Sequence, residues 1–278
     1  MVDMIFLAEM TQLIYKIPST FLMILSVYVI SKEIRKKNVH FNKQFYSIIV
    51  CKLVNEIFYI ITYYLLVKLP KWGLLNNFLE KNNWVAKLFY VLTIQQTTFM
   101  FLITFLISIN RCVAIKYPAK YKCYFSKSNM ITTITLFIML STLIGFGSIP
   151  LNPAYGLFSF IGIFIPYSTS KNVIYYQMFC YTFFFGTISI TTCTLNVLAI
   201  LELKKHKYFV NYYKREIVYI IYSIFIFITL SIVEAFSLIK IIAEQYEIHL
   251  LYYIFFCFQI WAFDLPFLGD FYFLIYSR

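Results

Sequence analysis

Seven long apolar stretches, parted by short polar connections, run through the chain at residues 11–30, 45–67, 84–109, 130–149, 173–201, 216–239 and 250–276. Each is near or above the roughly 20 residues an α-helix needs to cross a hydrocarbon core about 30 Å thick. The pattern predicts an all-α membrane protein, a bundle of seven transmembrane helices in a single domain over residues 1–278. The first stretch has no basic leader and no small-residue cleavage site, so it reads as a span and not as a cleaved signal peptide. The second is the least clean, with Lys52, Asn55 and Glu56 inside it. The fourth carries no charge and ends at Gly147-Ser148-Ile149-Pro150. The connection after it, 151–172, is apolar and holds Pro153 and Pro166. Its length allows it to fold back over the bundle as a lid.

The connections alternate in charge. The first holds Lys32, Arg35, Lys36, Lys37 and Lys43, the third Arg111, Lys116, Lys120, Lys122 and Lys127, and the fifth Lys204, Lys205, Lys207, Lys214 and Arg215. The second has only Lys68, Lys71 and Lys81, the fourth only Lys171, and the sixth has Glu244 and Glu247. Short connections rich in Lys and Arg stay cytoplasmic, which predicts an extracellular amino terminus and a cytoplasmic carboxyl terminus.

Composition sharpens this. A chain of 278 residues that is 61% hydrophobic and 13% charged does not read as a water-soluble domain. The net charge of +12 is not a nucleic-acid footprint, because the basic residues flank span ends and meet lipid headgroups there. The 25 Tyr and 31 Phe residues suit interfacial belts and packing between helices. Cys51, Cys180, Cys193 and Cys257 fall within spans, and Cys112 and Cys123 face a reducing compartment, which argues against an extracellular disulfide. No Asn-x-Ser/Thr acceptor occurs. His40, His206 and His249 show no metal-ligand spacing, and no nucleophile–base pair is visible. No enzymatic activity, cofactor or metal is expected.

Ionisable groups inside spans are costly and default to functional roles. Counted from the span ends, Glu56 and Asp264 both fall near mid-membrane, and Lys52 lies one helical turn from Glu56. The expectation is a buried polar cluster of Lys52, Asn55, Glu56 and Asp264 joining spans two and seven, either a switch or a static packing pair. A ligand pocket is expected between helices in the outer half, with Thr93, Gln95, Gln96 and Thr97 from span three, Glu234 from span six, and Tyr253 and Gln259 from span seven. Residues 95 and 96 point about 100° apart, so at most one of those glutamines faces the pocket centre. Glu234 either meets a cationic ligand group or pairs with Lys240 or Lys87.

The sharpest local motif is Ser108-Ile109-Asn110-Arg111-Cys112, with Pro118 seven residues after the arginine. A guanidinium at the membrane boundary can bond neighbouring helix ends in one state and be released toward a cytoplasmic partner in another. It can equally be an ordinary positive-inside anchor. Ile109-Asn110-Arg111, Pro118, Tyr121 and the closing run Asp264-Leu265-Pro266-Phe267-Leu268-Gly269-Asp270-Phe271-Tyr272 make the chain resemble nematode serpentine chemoreceptors of the gamma class, with the V class as the near alternative. The resemblance spans the whole layout. It implies a G protein-coupled chemosensory receptor that binds a small chemical cue and activates a heterotrimeric G protein in the plasma or ciliary membrane of sensory neurons. Asn110, Arg111 and Pro118 would then belong to the G protein face. The chain departs from rhodopsin-like receptors: no cysteine caps span three, span six lacks Cys-Trp-x-Pro, and Phe271 stands where proline is usual. A transporter or channel is the alternative class, against which stand the lack of an internal repeat and the odd number of spans.

Overall fold

The computed structural model describes residues 2–36, 43–158, 163–168, 170, 172–205, 210–246, 248, 251, 261–262, 264–269 and 271–272. Among these, six helices are long and apolar enough to cross a membrane: Glu9–Arg35, Lys43–Lys71, Asn83–Lys116, Lys127–Leu151, Val173–Lys205 and Ile220–Ala243. They lie within, in order, α1 (Val2–Arg35), α2 (Lys43–Tyr63, running on through Lys71), α3 (Asn83–Lys116), α4 (Lys127–Phe146, carried to Leu151 by a closing 3₁₀ turn), α5 (Val173–Lys205) and α6 (Val210–Gln245). Most of the seventh predicted stretch, 250–276, lies outside the described residues. Its described part includes a π-helical turn at Leu265–Gly269.

The helix α3 is the hub. Its most apolar window is 83% buried, against 22–33% for the other five helices. The reason is compositional: α3 carries no charged side chain between Val91 and Ile109 and is apolar around most of its circumference from Phe99 to Ile107, and such a helix is stable only when surrounded. Phe99, Phe101, Ile103, Leu106 and Ile107 of α3 meet Ile48, Ile49 and Leu53 of α2 and Ile226 and Leu230 of α6 in one core. The helix α4 packs on α3 along a narrow line, with only Met130, Ser141 and Gly145 of its helical residues buried. A Cβ at Gly145 would lie 2.6 Å from the Val91 carbonyl oxygen, so this crossing requires glycine. Ile134 and Phe137 are half-buried against the core, and the opposite side of α4 exposes Leu136, Met139, Leu140 and Leu143, as suits a lipid-facing helix.

The fold is not wholly helical. The connection after α4 forms an antiparallel hairpin of β1 (Pro153–Phe158) and β2 (Ile163–Ser168), registered from Pro153↔Ser168 to Phe158↔Ile163. β-branched and aromatic residues favour the pleat, and both strands are edges, where Pro153 and Pro166 cost no ladder bond. Tyr155 ties the hairpin down. It is buried, stacks on Phe164 at 5.9 Å and donates to the Leu66 carbonyl of α2 at 2.8 Å. Burial pushes its hydroxyl pKa above the ordinary tyrosine value. The connection does fold back on the bundle, but as a sheet.

Candidate functional site

Beneath the hairpin lies a cavity of about 210 Å³, walled by α2, α3, α5, α6 and β2. Aromatic rings dominate its lining: Tyr59 and Tyr63 from α2, Phe89 and Tyr90 from α3, Tyr176 and Tyr181 from α5. Tyr59 and Tyr63 stack one turn apart, with ring centroids at 6.3 Å. Ile165 and Pro166 of β2 help to form the lid. At the mouth, Tyr176 donates to the Ile144 carbonyl, and its ring stands where a Cβ on Gly147 would be. The start of α5 is thereby held against the end of α4.

The α3 wall reflects helical geometry. Tyr90, Thr93, Ile94 and Thr97, spaced by three and four, share the cavity face. Thr93 and Thr97 therefore stand where the sequence placed them, but Gln95 and Gln96 do not line the cavity. Gln95 turns toward α4, its Cβ 3.3 Å from the Cβ position of Gly145. Gln96 turns toward α2, donating to Thr62 Oγ1 at 3.2 Å, while its carbonyl accepts from Asn55 Nδ2 at 3.1 Å. Glu234 also stands away from the cavity. It accepts from Ser189 of α5 at 2.8 Å and packs beside Gly186. Tyr253 and Gln259 lie outside the described residues.

The expected four-residue polar cluster is divided into two. Lys52 and Glu56 pair with one another, both wholly buried, and Asn55 bonds across to α3. Asp264 turns the other way. Lys16 of α1 approaches it at 2.6 Å, Gln12 donates to it at 3.0 Å, and Tyr15 adds a further bond. It faces the turns of α2 that carry Ile60, Tyr63 and Tyr64, beyond Glu56 along the helix. Depth counted from span ends put the two carboxylates level, yet that count is blind to helix tilt and to the π-helical turns at Tyr64–Lys68 and Leu265–Gly269.

The Asp264 group continues toward the cavity. Lys68 donates to Gln12 at 3.2 Å and lies 3.0 Å from Glu9, and Glu9 also pairs with Lys71 and accepts from the Trp72 indole at 3.1 Å. Tyr63 carries Lys16 and Lys68 near its ring, at 5.7 and 5.8 Å. Lys71 lines the cavity itself. An ionic lattice thus runs from the cavity wall through α1 to Asp264. Sequence reasoning passed over Glu9, Gln12 and Lys16. The available signal was Lys16, a charge inside an apolar span, with Gln12 and Glu9 four and seven residues before it on one helical face.

At the opposite end, α3 continues to Lys116, five residues past Arg111, and the arginine is wholly buried. Its guanidinium lies 3.8 Å from the centroid of the Phe45 ring of α2 and donates to Asn110 Oδ1 at 2.8 Å. Asn110 in turn donates to Tyr121 at 3.0 Å. Pro118 sits exposed in the turn that ends α3. One turn inward, Ser108 of α3 meets Ser223 of α6 at 2.9 Å, and Ser223 donates to Asn196 of α5 at 2.8 Å. This three-helix polar chain was not singled out from sequence, where isolated serines are indistinguishable from packing residues.

A family model described as Srg family chemoreceptor matches residues 9–277. The chain belongs to the Srg chemoreceptor family. The match covers nearly the whole chain and includes the helices, the hairpin and both polar regions. A search of the curated proteins matched none of them to this chain. Membership makes it a multi-pass serpentine membrane protein of a chemoreceptor family, which points to a receptor. The gamma-class resemblance of its motifs agrees with that membership.

Proposed function

We propose that this Srg protein is a seven-helix G protein-coupled chemosensory receptor, extracellular at its amino terminus and cytoplasmic at its carboxyl terminus. A small chemical cue binds in the cavity beneath the hairpin. A heterotrimeric G protein docks on the face built from the three basic connections, around Arg111. The observation that carries this reading is the cavity itself. It is about 210 Å³, lined by four helices and a strand, aromatic-walled and carries a few polar groups, in a chain of a chemoreceptor family. The family resemblance further supports residence in the plasma or ciliary membrane of sensory neurons.

The arrangement has the parts a two-state receptor needs. The ligand cavity is lined by α2, α3, α5 and α6, and the same four helices also hold the Arg111–Phe45 stack and the Ser108–Ser223–Asn196 chain. A shift of α6 relative to α3 at the cavity necessarily perturbs Ser223 at the other end. Arg111, buried and stacked on Phe45, has to leave that ring to reach a cytoplasmic partner. A calcium-response screen in the cells that express the receptor tests the reading. Thr97→Trp fills the cavity and should abolish the response at equal surface level, and an unchanged dose–response curve would overturn this ligand site.

A further inference from the structure

Among the described residues, the charged side chains that line the cavity are all cationic. Two ammonium groups, Lys71 of α2 and Lys240 of α6, line it, and none of the described lining residues is acidic. Among the described residues, the lattice beside it also holds more ammonium groups than carboxylates. Lys16, Lys68 and Lys71 share two carboxylates, Glu9 and Asp264. Lysines in a low-dielectric, aromatic surround raise the local positive potential and gain from a mobile anion. We propose that the cavity takes a small ligand with an apolar, ring-sized body and an anionic group, Lys71 and Lys240 supplying its counter-charge. This deepens the ligand-site reading above and rests on it.

The body of such a ligand is set by volume. An apolar cavity of about 150 Å³ accommodates benzene, so about 210 Å³ accepts a ring with a short chain. Tyr59, Tyr63, Phe89 and Tyr90 offer faces and edges for that body. Gln177 adds a buried side-chain oxygen with no hydrogen-bond partner at the cavity wall, an acceptor for a ligand hydroxyl or amide hydrogen.

The placement of Lys71 makes binding heard elsewhere. In the structure it pairs with Glu9, and an anion in the cavity competes with Glu9 for it. Glu9 is not stranded by that exchange, because Lys68 remains 3.0 Å away and the Trp72 indole still donates to it. A carboxylate with a standing second cation can release the first at low cost. The exchange alters Lys68, and through Gln12 it reaches Asp264 in the seventh stretch. The indole of Trp72 is a built-in reporter of Glu9.

The test uses the full chain in phosphatidylcholine nanodiscs, with 3-phenylpropanoate, its methyl ester and 3-phenylpropylamine as probes. The acid should raise the melting temperature and shift Trp72 fluorescence, the signal disappearing in Trp72→Phe. Lys240→Gln and Lys71→Gln should each weaken acid binding about tenfold or more. Lys240→Gln breaks no bond to Glu9, so it remains informative if Lys71→Gln unfolds. Ester or amine binding as tightly as the acid, lost in Thr97→Trp, would overturn the anion inference and leave the ligand site standing. No binding by any of the three would overturn the inference, while a cue-evoked response lost in Thr97→Trp would show that the site survives it. A shift produced by phosphatidylserine in the discs and absent with the acid would assign the anion to a lipid headgroup and overturn the small-ligand form.

Discussion

Lys16 and Asp264 show how much one residue can weigh inside a bilayer. Their ion pair is 2.6 Å long, nearly closed to solvent, and supported by Gln12 and Tyr15. Removing one partner leaves a charge with reduced compensation, a loss of about 3–5 kcal/mol in buried settings. Lys16→Met and Asp264→Leu are each expected to lower the unfolding temperature in nanodiscs markedly. The double variant should recover most of the loss, and a double variant no better than the singles would mean that the pair is not the unit of stability. Gly145 is a second such position. A side chain there meets the Val91 backbone, so Gly145→Val should cost about 1–3 kcal/mol by separating α4 from α3.

At the scale of elements, the hairpin and the α3–α5–α6 polar chain are separable devices. The hairpin rests on the bundle through Tyr155, whose hydroxyl bonds the Leu66 carbonyl while its ring stacks on Phe164. Tyr155→Phe keeps the ring and removes one hydrogen bond worth about 1 kcal/mol. Amide exchange in β1 and β2 should then speed up several-fold with little change in global melting, because the main core does not include the hairpin. Ser223→Ala cuts the bond to Asn196 and the contact with Ser108 at once. On the proposed function it should shift basal or cue-evoked signalling at constant surface level, and a wild-type dose–response curve would assign the chain to packing alone.

At the scale of the whole molecule, the apolar and basic patterns define a membrane protein with two chemically different ends. One end holds the hairpin, the cavity and the ionic lattice, and the other holds Arg111 among basic connections. The proposed orientation is checked directly. An amino-terminal epitope should be labelled on intact cells, and a carboxyl-terminal one only after permeabilisation. The reverse result would turn the cavity toward the cytoplasm and dismantle the receptor reading. Arg111→Ala should keep surface expression and lose the cue-evoked G protein response, since both the guanidinium and its stacking on Phe45 are gone.

The spans, the basic alternation and the family motifs are written in one dimension, because crossing a bilayer needs about 20 apolar residues in a row and nothing from elsewhere in the chain. The pairing of Lys52 with Glu56 was legible for the same reason, being one turn apart. Partners distant in sequence were not. Asp264 took Lys16, some 250 residues away, and not Lys52, because helix tilt and π-helical turns decide which side chains share a depth. Gln95 and Gln96 left the cavity to Thr93 and Thr97 because the packing of α3 turns Gln95 to the glycine contact with α4 and Gln96 to the polar groups of α2. Sequence by itself determined the solvent, the helices and the family; only the packed bundle decided which polar groups meet, since the rotation and depth of each helix are properties of its neighbours.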